Sequence, residues 1–323
     1  MKKKSIQTKI DQISQDFFYK RYFETWVRNF GINLTNIWED PSAKKLNYKS
    51  FLKNSSAIVI GRGPSLKKFN HLKLLANSKY KGHIVCTDGA LKTVLESGVT
   101  PDKFSKFYVI TVDPDKELIP EFYDHKIVRK YGSKIKGIFS TLVDPLVIKN
   151  AKKAKIRIHW VHTLFDYQDG MRSFNNISAL IVRAKKNTGL PAIQTGGNAG
   201  TSAWFVSWKI LKCQTIALIG INHGWEESDS LKTIMSHGNV AIPPKISKKS
   251  KLFSKLYPKI YNPDFDSYCI LDPIFQYYSN ALKEFISRSP NNIKTINATE
   301  GGSIFGKRIQ CMMFKEFLKI YKK

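Results

Sequence analysis

Residues 56–66, reading SAIVIGRGPSL, constrain this chain more than any other stretch. Residues 57–60 form a short apolar, β-branched run, long enough for one buried strand and too short for a helix. The sequence Gly61-Arg62-Gly63-Pro64-Ser65 then ends it abruptly. Gly61 and Gly63 permit a sharp turn and a close approach of backbone to a ligand. Pro64 suits the first turn of a helix, where Ser65 offers a hydroxyl and a backbone N–H. A strand, a glycine turn and a helix start together present N–H groups and the positive end of a helix to an anion. The same elements also make a plain tight turn with no ligand, because the pattern is neither a Walker loop nor a complete GxGxxG.

From that point the chain alternates. Short apolar runs at 57–60, 82–87, 107–112, 135–140, 156–161, 215–219 and 293–296 read as strands. Helical patterns fall between and after them, at 66–77, 90–97, 145–153, 177–186, 202–211, 271–287 and 311–321. Such alternation predicts an α/β fold with a mostly parallel sheet covered on both faces. Right-handed crossovers place the strand C-termini along one edge, where open α/β sheets bind ligands. Residues 1–54 stand apart as an N-terminal helical segment. Ile6, Ile10, Ile13, Phe17, Phe18, Tyr22 and Phe23 recur near helical spacing, which suits packing on the main domain or lying on a membrane. Residues 224–264 interrupt the alternation with a polar insertion holding Pro243-Pro244 and the basic run 245–255; a long insertion of this kind reads as a lid.

With 323 residues, the chain is long enough for a substantial core. Lys and Arg number 53 against 25 acidic residues, a formal net charge of +28, which favours an acidic partner. A small phosphorylated ligand fits better than nucleic acid, since no RNP, zinc-finger or basic-zipper pattern accompanies the charge. Peripheral contact with an anionic membrane stays open. The four cysteines lie far apart with no CxxC pair, so reduced thiols in a cytoplasmic protein are expected rather than zinc or disulfides. No run of 18 apolar residues exists to span a membrane.

Six loops hold the candidate chemistry. Four follow expected strands: Gly61–Ser65, Thr87-Asp88-Gly89-Ala90, Thr111-Val112-Asp113-Pro114-Asp115 and Gly220-Ile221-Asn222-His223-Gly224. The loops 195–201, with Gly196, Gly197, Asn198 and Gly200, and 297–303, with Gly301 and Gly302, are of the same kind. Asp88 and Asp113 could take a ribose hydroxyl or a magnesium-bound phosphate, or cap the helices that follow. His223 and His237, on or beside the lid, are placed to act as a general base. His159 and His162, in or just after a strand, suit packing.

The ordered set GRGPSL, TDGA, TVDP, TGGNAGTSAWFVSWKILKCQTIALIGINH and NATEGGSIFG resembles the 6-hydroxymethylpterin diphosphokinase MptE-like family. That family includes the motility accessory factors linked to flagellin glycosylation. GRGPSL and the glycine-then-small-helix block also resemble bacterial CMP-sialic-acid sialyltransferases. The resemblance runs from about residue 56 to 306, excluding the lid. It implies a Rossmann-like nucleotide-binding transferase domain at 55–323 and no organic cofactor. It also implies two activities. One is transfer of a nonulosonic acid from a CMP-activated sugar to a glycan or protein acceptor. There Gly61, Gly63, Pro64 and Ser65 would hold phosphate. Asp88, Gly89, Asp113, Gly196, Gly197, Asn198, Gly220, Asn222, Gly301 and Gly302 would line the nucleotide, and His237 or His223 would be the base. The other is Mg2+-dependent transfer of diphosphate from ATP to a pterin, with Asp113 and Asp115 near the metal. NATEGGSIFG leans toward the first; Asn222, where the motility factors carry Asp, leans away from it. A non-catalytic nucleotide- or nucleic-acid-binding module, kept open by the net charge of +28, is the third reading.

Overall fold

A computed structural model describes residues 6–46, 55–164, 173–238 and 251–321. The chain opens with helix α1 (Ile6–Glu39) and a short 3-10 turn at Ala43–Leu46. The alternating part then runs β1 (Ser56–Ile60), α2 (Ser65–Lys68), α3 (His71–Ala76), β2 (His83–Thr87), α4 (Asp88–Glu96), β3 (Phe107–Thr111), α5 (Lys126–Tyr131), β4 (Lys136–Ser140), α6 (Pro145–Lys153) and β5 (Arg157–Thr163). It continues through α7 (Phe174–Arg183), β6 (Ala192–Ile193), α8 (Ala199–Lys209) and β7 (Thr215–Ile219). Helices α9 (Leu231–Gly238) and α10 (Lys251–Leu256) and the hairpin β8 (Lys259–Asn262) and β9 (Ser267–Ile270) follow. The chain closes with α11 (Pro273–Arg288), β10 (Lys294–Asn297), β11 (Ile309–Cys311) and α12 (Phe314–Ile320).

Nine strands form one sheet in the order β11-β10-β7-β1-β2-β3-β4-β5-β6. Every neighbouring pair in it is parallel. The fold is therefore the α/β, Rossmann-like one expected. Both faces are buried, which explains the unbroken apolar runs of the strands. Along β1, Ile58 and Ile60 face the core beneath α3, α4 and α6, while Ala57 and Val59 face Trp204 and Val206 of α8. The chain moves outward from β1 through β6 and then returns, with β7 pairing to the other side of β1. The strand order reverses between β1 and β7, so a crevice opens beyond their C-terminal ends, where such sheets bind ligands.

Several local expectations change. The helix expected at 66–77 is broken, because Asn70 adopts a left-handed φ of 53°, a conformation asparagine tolerates. Cys311 lies in β11, and the last helix starts three residues later. The two-residue strand β6 is too short to leave a periodic signal. The 224–264 insertion is ordered where it is described: Trp225 bridges Ile270, and Ile234, Leu256 and Tyr257 build a small core of their own. Residues 239–250 of the insertion, with part of its basic run, and residues 47–54 lie outside the described residues.

Helix α1 runs unbroken to Glu39, and its C-terminal half packs into the main core through Phe30 and Ile37. Two asparagines fix it there. Asn29 donates Nδ2–H to the Leu142 carbonyl at 3.0 Å, and Asn33 donates to the Val143 carbonyl at 2.8 Å. Both side chains are fully buried, so these bonds answer for carbonyls at the end of β4 that water does not reach. Among the described residues no helix is long and apolar enough to cross a membrane. Asn33→Ala should lower the unfolding free energy by ~1–3 kcal/mol, the cost of stranding a buried carbonyl. Urea denaturation measures it; an unchanged midpoint would mean that the bond does not anchor α1.

Candidate active site

The crevice holds a cavity of about 590 Å³. The loops after β1, β2, β3 and β7, the start of α8, and α9 and α11 line it. The loop after β1 sits against the loop after β7. Gly61 N–H donates to the Ile219 carbonyl and Gly63 N–H to the Gly220 carbonyl, both at 2.9 Å. Two amides expected to face a phosphate are thus engaged between the loops. A Cβ on Gly61 would stand 2.3 Å from the Gly220 oxygen, and one on Gly63 would stand 2.2 Å from Asn222 Oδ1. The glycines are needed for loop-on-loop packing. Ser65 completes the contact by donating Oγ–H to Asn222 Oδ1 at 3.0 Å, away from the cavity.

Gly61, Arg62, Gly63 and Pro64 of the first loop line the cavity, and the first turn of α8 faces it beside them. Asn198 caps α8, accepting from Thr201 N–H at 2.8 Å, and Ala199 and Gly200 at the helix start line the cavity. Gly200 lets Ile221 close in, since a Cβ there would lie 2.6 Å from Ile221 Cδ1. A cation and a helix N-terminus facing one space suit an anion.

Asp88, Gly89 and Asp113 face the same cavity. Asp88 opens α4 and is almost wholly buried. Burial pushes its carboxyl up to about 7, and nearby Asp113 adds to the rise; the bond from Gly89 N–H opposes both. Asp88 Oδ2 is buried with no partner among the described residues. Burial also raises the Asp113 carboxyl. Its Oδ1 accepts from Asp115 N–H at 3.0 Å, and Asp115 Oδ1 accepts from Glu117 N–H and Leu118 N–H at 2.8 Å. Asp115 therefore caps a turn and does not line the cavity.

Two histidines line the far wall. His237, in the last turn of α9, places Nδ1 2.5 Å from Asp272 Oδ2. Asp272 is fully buried and also accepts from Trp225 Nε1–H at 2.7 Å and, through Oδ1, from Phe275 N–H at 2.8 Å, capping α11. The His237 ring packs against Trp225 and Phe275, with centroids at 5.5 and 4.8 Å. An imidazole fixed through Nδ1 by a carboxylate keeps Nε2 as the proton acceptor. His223 is buried beside Lys283; burial foremost, and then that cation, pull its pKa down to about 3. Gly220, Asn222 and Pro64 face the cavity as expected. Gly301 and Gly302 instead lie behind the Asn222–His223 loop: a Cβ on Gly302 would meet the Asn222 oxygen at 2.4 Å, and Ser303 N–H donates to that oxygen. Gly196 packs on Thr201 and Ala281. Gly197 lines a smaller neighbouring chamber together with aromatic residues of α1 and α11. The sequence reading missed Arg62, Asp272, Trp225, Phe275 and Tyr278. Among the described residues, no three His, Cys, Asp or Glu side chains gather to hold a metal ion.

A family model described as 6-hydroxymethylpterin diphosphokinase MptE-like matches residues 28–228, from within α1 to the loop after β7. A curated 6-hydroxymethyl-7,8-dihydropterin pyrophosphokinase from Methanocaldococcus jannaschii is 27% identical over 171 residues, 46% of this chain and 67% of that protein. The solved structure of a MAf glycosyltransferase from Magnetospirillum magneticum AMB-1 matches 90% of this chain with a TM-score of 0.56 at 14% identity. That likeness is one of fold, and the chain spans 41% of the length of that structure.

The Asp88 carboxyl, at about 7 when folded and 3.8 ordinarily, binds more proton in the folded state than in the unfolded one between those values. Its contribution to stability is present below about pH 4 and is lost as pH rises toward about 7. Asp88→Asn should therefore melt progressively higher relative to the parent protein across that window. His83, His162 and His223, all depressed by burial, contribute with the opposite sign in both proteins and cancel from the difference. A difference in melting temperature that is flat with pH would contradict this assignment.

Proposed function

The chain belongs to the 6-hydroxymethylpterin diphosphokinase MptE-like family, and on that footing we propose that it transfers a group from a nucleotide-activated donor to an acceptor hydroxyl, the donor being a CMP-activated nonulosonic acid. Its relatives are transferases of both kinds, a pyrophosphokinase and a glycosyltransferase. The Asp272–His237 pair carries the proposal. Either transfer must strip a proton from a hydroxyl, and a base positioned by a buried carboxylate at the rim of a nucleotide-sized cavity serves that step. His223, with a pKa near 3, is a poor base at neutral pH and suits packing beside Asn222.

In this mechanism the donor phosphate lies against Arg62 and the first turn of α8. The acceptor oxygen bonds to the anomeric carbon as His237 Nε2 takes its proton. The bond from the anomeric carbon to the phosphate oxygen breaks, and CMP leaves with the electron pair. Asp272 keeps the imidazole in the right tautomer and stabilises the imidazolium that forms.

Magnesium-dependent diphosphate transfer to a pterin is the second reading, favoured by the curated relative and by the Asp88 and Asp113 carboxylates on the cavity wall. The Asp113–Asp115 pair fits a metal poorly, because backbone amides of one turn occupy an oxygen of each. A thermal-shift screen separates the readings. CMP and CTP should raise the melting temperature without metal; a shift with ATP alone, and only with magnesium, would overturn the glycosyl reading. His237→Ala should lower the rate of CMP release from the donor at least ~100-fold with nucleotide affinity nearly unchanged, and His223→Ala should do less. Full activity in His237→Ala would remove it as the base.

A further inference from the structure

Next to the main cavity, and joined to it through Asp113, Asn198, Ala199 and Tyr278, lies a chamber of about 140 Å³. Neither His237 nor any residue of the loop after β1 lines it, so the transferred group and the phosphate lie elsewhere. Its walls are aromatic. Tyr19, Tyr22 and Trp26 come from α1, and Tyr277 and Tyr278 from α11. The spacing of the first three, at i, i+3 and i+7, puts them on one face of the helix. The Tyr22 and Trp26 rings lie 6.0 Å apart, as do those of Tyr277 and Tyr278. Gly197 brings the loop before α8 onto the tyrosines, for a Cβ there would stand 2.7 Å from both Tyr277 and Tyr278.

Five aromatic side chains around one half-open recess make an apolar patch of the kind that marks ligand-binding grooves. It is too small for a whole nucleotide sugar, since complete ligand sites run to roughly 300–1,000 Å³. Its volume is on the scale of a single ring system. Thr163 and Thr195 line it as well, their hydroxyls engaged by Ser140 and by the Gly197 amide, and Asp113 borders both this chamber and the main cavity. Asp113 Oδ1 is held by the Asp115 amide, which leaves Oδ2 to accept from a ligand. Aromatic faces stack on any planar π system, while a carboxyl at the rim selects a ring that offers an N–H donor.

We infer that the chamber under α1 binds the aminopyrimidine ring of a substrate, stacked among the α1 and α11 aromatics with Asp113 accepting from its exocyclic amino group. This rests on the reading of the main cavity as the site of the phosphate and of transfer. Two substrates of the family's reactions carry such a ring, the cytosine of a CMP donor and the pterin of a diphosphate acceptor. Helix α1 is then part of the substrate site rather than a cover for the domain.

The test measures equilibrium binding to the full chain by calorimetry, with four probes: CMP, UMP, ribose 5-phosphate and 6-hydroxymethylpterin. UMP replaces the amino group by a carbonyl, and ribose 5-phosphate lacks the ring. Trp26→Ala should weaken CMP by about tenfold, the worth of one stacked base, and leave ribose 5-phosphate within about twofold. Tyr22→Ala, at a half-buried position on the same face, should act in the same direction. Asp113→Asn should erode the preference for CMP over UMP. If the parent binds CMP while the α1 variants weaken CMP and ribose 5-phosphate alike, or neither, the chamber is not the ring site, though the donor reading stands. If the parent binds the pterin but not CMP, and Trp26→Ala abolishes that binding, the chamber holds the ring and the CMP donor is wrong. If the parent binds neither ring, both fall.

Discussion

The loops leaving β1 and β7 meet at Gly61 and Gly63, and the candidate site depends on that contact. Gly61 and Gly63 press against the Gly220 carbonyl and Asn222, and two backbone hydrogen bonds of 2.9 Å lock them. Because β1 and β7 flank the point where strand order reverses, any side chain here would wedge open the floor of the crevice. Arg62 and the start of α8 face the cavity beside that contact. In the proposed mechanism the donor phosphate rests on this cation and this helix, while the glycines let the two loops pack together.

A second constraint sits across the cavity. Asp272 is a fully buried carboxylate, and such a group persists only when it is well supplied with donors. It receives them from the Phe275 amide, the Trp225 indole and the His237 ring. One side chain thereby caps α11, ties down the start of the insertion after β7 and orients the candidate base. The insertion interrupts the βα pattern, yet its described parts are fastened at the site end by Asp272 and by the bridge between Trp225 and Ile270.

Much of the fold was legible in the sequence. Apolar runs such as 57–60 and 215–219 read as strands because a doubly covered parallel sheet leaves them no polar face. Asn29 and Asn33 carry no local signal of their role, because only the fold brings them to the carbonyls that follow β4. Gly61 and Gly63 were recognised as places of close backbone approach, but what approaches is the next strand's loop. Gly301 and Gly302 carried the same signal and serve behind the site. His237 was legible from its place in the insertion; Asp272, 35 residues later, was not, because nothing local links an N-cap aspartate to a distant histidine. The aromatic chamber was hidden for a similar reason. Tyr22 reads as one position of an amphipathic helix, and only the return of α11 makes it, with Tyr19 and Trp26, part of a wall.

We propose that the crevice between β1 and β7 carries out glycosyl transfer from a CMP-activated donor. Phosphorus-31 NMR of the protein mixed with a CMP-activated nonulosonic acid, and separately with ATP, magnesium and 6-hydroxymethylpterin, tests it most directly. The account predicts that the CMP phosphodiester signal gives way to free CMP while ATP stays intact. Formation of AMP and a pterin diphosphate, with the CMP donor unchanged, would contradict it.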